Sequence, residues 1–253
     1  MFHFNFEGEE FIMKSTKKKL MAVMTAVAVM GMSLVGCGAK LTPADQNISA
    51  LYELSAKNNP APMMELLGYE TEEDVYNAFF EDGVAASEDT EIIEELKYEF
   101  ESMGLEISEE ELGEFSDAMS ALFDKVTYTT EITSEEKDTI IVTVKVNGIS
   151  EAELEQVMID AATVMSENLE ANLTEDDAYA IMAGDMSSVT PYMQQYLKDI
   201  IEGVKTLELV TDPYEFEVEC QKLAVEVGDK EKVAWLPADM NDFEDEVERS
   251  LYQ

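Results

Sequence analysis

The sequence predicts an α+β fold in which helices pack on one side of an antiparallel sheet. Apolar residues recur at helical spacing over 42–123, then at every second position over 140–146, and again at every second position over 214–220. Several helices, a hairpin, several more helices and a second set of strands therefore follow one another along the chain. That order is typical of an α+β domain with its helices on one face of the sheet.

The helices of the first part of the chain are marked by residue types that start helices. They are expected to begin at Thr42-Pro43, Thr71, Asp89 and Ser108. Thr42 is expected to cap the first helix, with proline as the first helical residue, and Asn58-Asn59-Pro60 to end it. The third helix is expected to run to Met103, and the fourth opens with the capping-box pair Ser108 and Glu111.

A hairpin and further helices are predicted in the middle of the chain. Residues 140–146 alternate between apolar and polar, so they are expected to pair with 126–133 across a turn at 134–138. Helices are then expected from the capping-box pair Ser150 and Glu153, from Thr174, and from Pro191 to Lys205.

The last part of the chain returns to strands. Residues 214–221 alternate so that Cys220 lies on the core face and the glutamates lie on the water face. A turn at Gly228-Asp229 and a closing strand from Val233 to Leu236 complete the sheet, and an acidic helix follows over 239–251. Every acidic residue in the predicted strands faces water.

A basic run, an apolar run and a cysteine, in that order, indicate a secretory signal peptide. Lys17-Lys18-Lys19 precede apolar residues 20–34, and Leu34-Val35-Gly36-Cys37 follows. The apolar run has about 15 residues, fewer than the roughly 20 that a helix needs to cross the hydrocarbon core. Leu34 to Cys37 resembles the cleavage site of bacterial lipoproteins, which implies cleavage after Gly36 and a diacylglycerol on Cys37.

The predicted lipid determines where the protein works. Two acyl chains hold a protein on a bilayer far more firmly than one chain does. Residues 37–41 form the lipidated tether, whose reach at about 3.5 Å per residue is about 15 Å. The sequence therefore predicts a cell-membrane protein, lipid-anchored on the extracytoplasmic face.

Residues 1–12 do not fit a signal peptide, because they carry three acidic residues ahead of the basic run. Codons for Glu7-Gly8-Glu9 can form a purine run of the ribosome-binding type. We therefore expect translation to start at Met13, with 1–12 as an upstream extension and 13–36 as the signal peptide.

The charge and composition exclude several classes of function. Residues 1–36 hold four lysines and three acidic residues, so the rest keeps 12 basic and 53 acidic residues, a net charge of −41. With Arg249 as its only arginine, this chain has no basic stripe for nucleic acid. The only histidine is His3, which excludes Ser-His-Asp and Cys-His catalysis and the usual zinc sites after processing. The large acidic excess favours solubility in a salty exterior, and the alternative is binding of divalent cations or basic peptides. Any binding of divalent cations is expected to be weak and diffuse.

The mature chain is long enough for one large or two small hydrophobic cores. Residues 42–236 form either a single α+β domain or two similar halves, 42–149 and 150–236. Residues 237–253 form the acidic C-terminal helix.

Three short motifs carry a resemblance that covers most of the mature chain. They are Leu41-Thr42-Pro43, Leu67-Gly68-Tyr69, and Val142 to Gly148. The chain resembles an uncharacterised family of lipoproteins from Gram-positive bacteria, which carry a domain of unknown function. Related small lipoproteins are similar to the cystatin-like and nuclear-transport-factor-2-like cone, which implies a curved sheet. The helical stretch 150–205 is longer than a minimal cone contains.

Several residue patterns match catalytic or metal-binding motifs, but each has a simpler interpretation. Ser134 and Lys137 have the spacing of penicillin-binding acyl enzymes, although a solvated hairpin turn is favoured. The acidic residues 239–246 and 175–177 offer oxygen ligands, yet the first turns of helices explain them better. We therefore assign no catalytic, cofactor or metal residue, and no cofactor.

The methionines and Trp235 are the remaining candidates for a binding groove. Met63, Met64, Met182, Met186 and Met193 could line an adaptable groove, but core filling is favoured. Trp235 is expected to close the core, and Cys220 to be a buried, inert thiol.

Two functions from different classes remain. The favoured one is a non-enzymatic module that binds a protein partner or a small apolar ligand next to the membrane. The alternative is an enzyme that uses carboxylates and tyrosine in the pocket of a cone-shaped fold. An enzyme would require an acidic residue that points inward among apolar ones.

Overall fold

The computed structural model describes residues 41–80, 97–98 and 108–253. The upstream extension 1–12, the signal peptide 13–36, and the predicted cleavage and lipidation residues Gly36 and Cys37 lie outside the described residues. Most of the helix predicted over 89–103 also lies outside them, although Lys97 and Tyr98 are helical. Among the described residues, no helix has the length and hydropathy that a membrane span requires.

The described residues form an α+β fold with an open, curved antiparallel sheet, as predicted. They contain eight named helices and four strands. The elements are α1 (Ala44–Lys57), α2 (Ala61–Leu67), α3 (Glu72–Phe79), α4 (Glu109–Lys125), β1 (Thr127–Glu135), β2 (Thr139–Asn147), α5 (Glu151–Asn172), α6 (Glu175–Met182), α7 (Thr190–Thr206), β3 (Tyr214–Val227), β4 (Lys230–Pro237) and α8 (Met240–Leu251).

The elements belong to two compact units that interleave along the chain. The sheet unit contains described residues 41–80, 126–148 and 210–253, and therefore α1 to α3, all four strands and α8. The helical unit contains 97–98, 108–125 and 149–209, and therefore α4 to α7. The consecutive halves 42–149 and 150–236 stay a prediction.

The sheet has the order β1-β2-β3-β4. Its β1–β2 hairpin pairs Tyr128 with Val146, and its register shifts between Ile132 and Ser134 at a bulge. The apolar side of β2 is completely buried at Val142, Val144 and Val146. Helices α1 and α8 contact this sheet, because their apolar faces are buried in the core of the same unit.

The core of the helical unit comes from α4, α5 and α7. Each has an apolar face at helical spacing, and α7 contacts both of the others. The buried residues include Leu112, Phe115, Leu122, Leu154, Ala161, Met165, Met193, Leu197, Ile200 and Val204. The side chain of Lys125 at the end of α4 donates to the carbonyls of Lys205 and Leu207, at 3.2 and 3.3 Å. This contact satisfies backbone acceptors at the end of α7.

One expectation about the first helices is wrong, and one helix was missed. Helix α1 begins at Ala44 with Pro43 as its N-cap, and no side chain caps it. The amide of Asn47 instead donates to the carbonyl of Thr42. Helix α2 was not predicted, because its seven residues are too few to show a clear period.

Strand β3 is longer than the sequence indicates. It continues from the predicted end at Gln221 to Val227. The buried side changes along it, from Phe216, Val218 and Cys220 to Val225 and Val227. Since the β3–β4 register is continuous, a bulge does not cause this change. The two ends of the strand are covered on different faces, and the sequence gives no signal for that.

Candidate functional site

The best-defined group of polar side chains in the sheet unit lies where α1 meets β1 and α8. We call it the tyrosine cluster, and it consists of Ser49, Tyr52, Glu53, Lys57, Tyr128 and Ser250. The first four residues share one side of α1, because they are spaced three or four positions apart. Tyr128 comes from β1, where alternation places it on the same side as Thr130. Ser250 comes from the last turn of α8.

The two tyrosines connect the three elements. Their ring centroids lie 4.4 Å apart, with the ring planes tilted by 36°. The Tyr52 hydroxyl lies 3.3 Å from Ser250 Oγ in the buried interior. The Tyr128 hydroxyl donates to the Ser49 carbonyl at 3.1 Å and lies 3.0 Å from Ser49 Oγ. Helix α1 is therefore joined by side-chain hydrogen bonds both to β1 and to α8.

A half-buried ion pair borders the tyrosines. Lys57 Nζ lies 3.6 Å from Glu53 Oε1, one helical turn away, with side chains 17% and 20% exposed. The same ammonium lies 5.7 Å from the centre of the Tyr128 ring, in range of a cation–π contact. Glu53 Oε2 accepts a hydrogen bond from the Asn59 amide at 3.1 Å. Both carboxylate oxygens of Glu53 therefore have partners at the end of α1.

The electrostatics of the cluster keep both tyrosines protonated. Burial raises the pKa of Tyr52 to about 12. Burial also raises the pKa of Tyr128 to about 12, despite its hydrogen bond with Ser49. A neutral phenol can donate a hydrogen bond but cannot act as a base or nucleophile near pH 7. The geometry is suited to fixing α1 in place.

The tyrosine cluster was missed by sequence reasoning. The spacing of Ser49, Tyr52 and Glu53 on one helical side was a usable signal. It could not be interpreted alone, because Tyr128 lies 79 positions beyond Ser49 and Ser250 lies 198 positions beyond Tyr52. Only folding brings them together.

The strands place their acidic residues on the outward face, as predicted. Glu131 of β1 is exposed, and so are Glu215, Glu217 and Glu219 of β3. Lys145 on β2 pairs with Glu215 at 2.8 Å. The sheet unit therefore presents an acidic face formed by β1 and β3.

The carboxyl groups with clearly shifted pKa values lie on the surface of the helical unit. Hydrogen bonds and charge from Lys97 lower the pKa of Glu109. Burial raises the pKa of Glu111, but the hydrogen bonds from Ser108 outweigh it and the net shift is downward. Hydrogen bonds within capping contacts also lower the pKa values of Asp177 and Asp185. These carboxyl groups are stabilised in the ionised form, as helix starts and tight turns require.

The other motifs take the simpler roles that the sequence favours. Ser134 lies near the exposed end of β1 and not in the turn predicted over 134–138, because the strands pair as far as Glu135 and shorten the turn to 136–138. Lys137 in this turn is 93% exposed and pairs with Asp138. Asp239 caps α8 by accepting from the backbone of Asn241 and Asp242. In the part of the chain that the structure describes, no group of three or more His, Cys, Asp or Glu side chains has metal-binding geometry.

The residues expected in the core are mostly buried. Cys220 is fully buried and free, and burial raises its thiol pKa to about 12. Trp235 is 8% exposed, and the ammonium of Lys222 lies 4.7 Å from its ring centre. Met63 and Met193 are buried, but core filling is wrong for Met182, which is 62% exposed.

Comparison with known proteins gives one structural likeness. No family model matches the chain, and no curated protein matches it. The chain is similar to the crystal structure of "a putative lipoprotein (ycdA)" from Bacillus subtilis subsp. subtilis strain 168, at 14% sequence identity and a TM-score of 0.46. The match covers 83% of this chain and 56% of that chain. The chain thus spans little more than half the length of that protein.

Proposed function

We propose that this protein is a lipoprotein, anchored through Cys37 on the extracytoplasmic face of the cell membrane, that acts there as a non-enzymatic binding module. The observation that carries the anchor is the order of basic run, apolar run and Leu34-Val35-Gly36-Cys37. The proposed binding target is a protein partner or a small apolar ligand next to the membrane.

The position of α1 supports this proposal. Leu41 follows Cys37 by four residues, so the chain places it at most about 15 Å from the lipidated residue. Helix α1 starts at Ala44 and is held to β1 and α8 by the tyrosine cluster. The anchor would therefore be attached to a helix that is fixed in the sheet unit.

The chemistry of the tyrosine cluster favours binding over catalysis. The alternative enzyme needs an ionisable tyrosine or an inward carboxylate that can exchange protons near neutral pH. Glu53 beside Tyr128 is the observation that favours this alternative. With a pKa of about 12, Tyr128 stays protonated there, and Glu53 is engaged by Lys57 and Asn59.

The anchor is tested by the variant Cys37→Ala. We expect mass spectrometry of membrane-extracted wild-type protein to show an N-terminal diacylated Cys37, and the variant to remain as the uncleaved precursor. Cys220→Ala is the matched control and should be processed normally. A wild-type N-terminus at another residue, without lipid, would contradict the anchor.

The choice between binding module and enzyme is tested by titrating Tyr128. The difference in absorbance at 295 nm between wild type and Tyr128→Phe isolates this phenol. We expect it to ionise only above pH 10. Ionisation below pH 8 would instead favour the enzyme.

A further inference from the structure

Helix α6 exposes apolar side chains that a surface helix normally hides. Tyr179 is 68% exposed and Met182 is 62% exposed. None of the eight residues of α6 is buried. The helix is nevertheless well defined at its start, where Thr174 and Asp177 form a complete capping box. Exposed apolar patches on ordered elements mark interaction sites.

The exposed side of α6 is a stripe with charged ends. Asp176 and Tyr179 are three residues apart, and so are Tyr179 and Met182, so each pair is adjacent on the helix surface, and all three residues are exposed. Ala183 and Asp185 continue the exposed run just after the helix. Asp185 is held ionised, since hydrogen bonds from Ser187 lower its carboxyl pKa. We call these five residues the α6 stripe: an apolar centre between two carboxylates.

We propose that the α6 stripe docks a cationic amphipathic segment of a partner protein. An apolar side chain of that segment would cover Tyr179 and Met182, while lysine or arginine on either side would pair with Asp176 and Asp185. Methionine and tyrosine suit such a surface, because one adapts its shape and the other offers a large rigid contact. This inference deepens the proposed binding role and does not depend on the lipid anchor.

Charge complementarity selects this partner over two other occupants. A second copy of the chain carries the same strongly negative charge, so self-association is opposed by like-charge repulsion. An anionic lipid surface would repel Asp176 and Asp185 in the same way. The small size of the stripe indicates a weak, transient contact.

The test is a binding titration of the full chain with a fluorescein-labelled, 14-residue amphipathic Leu/Lys helix, followed by anisotropy. We expect Tyr179→Ser with Met182→Ser to weaken binding at least tenfold. The matched control is Ile159→Ser with Val164→Ser, which removes two apolar side chains of similar exposure, 42% and 44%, that lie five positions apart on α5. It should change the dissociation constant less than twofold.

Three results would overturn the proposal. The first is equal weakening by both double variants, which would show diffuse charge attraction by the whole chain. The second is equally strong binding of a Gly/Lys peptide without apolar residues, or of a Leu/Glu peptide. The third is an occupant of another class, seen as Tyr179-dependent self-association or vesicle binding without peptide binding. Thermal unfolding of each variant checks that it is folded. Lipid attachment to Cys37 is measured in a separate experiment, so a failure of the proposed anchor would not change the outcome of the peptide titration.

Discussion

The sheet unit and the helical unit keep their elements together in different ways. In the sheet unit, hydroxyl groups connect distant elements: Tyr52 meets Ser250, and Tyr69 donates to the Glu226 carbonyl at 3.0 Å. In the helical unit, the contacts of Ser108, Ser150 and Thr174 each serve the start of a single helix. The helices are joined mainly by apolar packing of α7 against α4 and α5, with the hydrogen bonds of Lys125 to the end of α7 in addition. The sheet unit is therefore specified by directional contacts and the helical unit mainly by shape.

The exposure of apolar residues follows the same division. Of the seven large apolar residues exposed in the described part of the chain, five belong to the helical unit: Tyr98, Ile159, Val164, Tyr179 and Met182. The sheet unit exposes Leu41 and Val233. The docking proposed for the α6 stripe depends on two of these five residues, Tyr179 and Met182.

The largest expected effect is that of Gly148→Ala in the sheet unit. A Cβ atom at Gly148 would lie 2.3 Å from the Ser250 carbonyl oxygen and 2.7 Å from that of Leu251. Since backbone atoms cannot give way without moving the end of α8, we expect a loss of about 3 kcal/mol or more in the free energy of unfolding. Urea unfolding followed by the emission maximum of Trp235, a sheet-unit residue, measures it.

Gly113→Ala is the control for this variant. A Cβ atom at Gly113 meets nothing within 4 Å, so alanine should stabilise α4 by about 0.5–1 kcal/mol. An unfolding midpoint for Gly148→Ala that equals the wild-type value would mean that α8 is not held against Gly148, and the comparison of the two units would fail.

In the helical unit, Gly203→Ala should cost about 1–3 kcal/mol. A Cβ atom there would lie 2.4 Å from Cγ1 of Val157, where α5 and α7 approach closely. The obstructing group here is a side chain, which a second substitution can shorten, whereas the obstructing groups at Gly148 are backbone carbonyls. Adding Val157→Ala to Gly203→Ala should therefore restore much of the lost stability. Far-UV circular dichroism in urea measures both variants. Absence of rescue in the double variant would show that shape fit does not determine this contact.

Alkaline pH should destabilise the sheet unit. The folded pKa values of Tyr52 and Tyr128 are about 12 against ordinary values of 10.0, and that of Cys220 is about 12 against 9.0. The folded state holds these protons more tightly, so this contribution to stability is complete below about pH 9 and is lost as pH rises toward 12. We expect the urea midpoint from Trp235 emission to fall from pH 9 to 11. A constant midpoint would contradict the assigned burial.

The smallest effect concerns Cys220. Its thiol is fully buried, and its Sγ donates to the Val218 carbonyl at 3.6 Å. Cys220→Ala should cost about 1 kcal/mol, as expected for removing one small buried group. In the Cys37→Ala background, thiol reagents should label Cys220 only after denaturation. Rapid labelling of the native protein would mean that Cys220 lies on the exposed side of β3 and would contradict the assignment.

Local patterns predicted much of the fold. Strand β2 was predicted from alternation alone, because Ile140 to Val146 bury one side of the strand and leave the other side partly exposed. The capping pair at Ser108 and the helix-starting residue Thr71 placed two helix starts within one residue. Helix α2 and the exposed side of α6 were missed, because short segments carry little periodic information.

The sequence by itself determined the predicted export and anchoring signal, the strongly acidic composition, the predicted loss of the only histidine on processing, and the alternation of helices and strands. These depend on composition and on neighbours within a few residues. Only the tertiary structure showed that the Tyr128 hydroxyl donates to the Ser49 carbonyl, that β3 changes its buried side after Cys220, and that Tyr179 is exposed to solvent. Such features depend on which segment, distant in sequence, packs over a residue. Local residue spacing does not encode that packing, because it is a property of the whole folded chain.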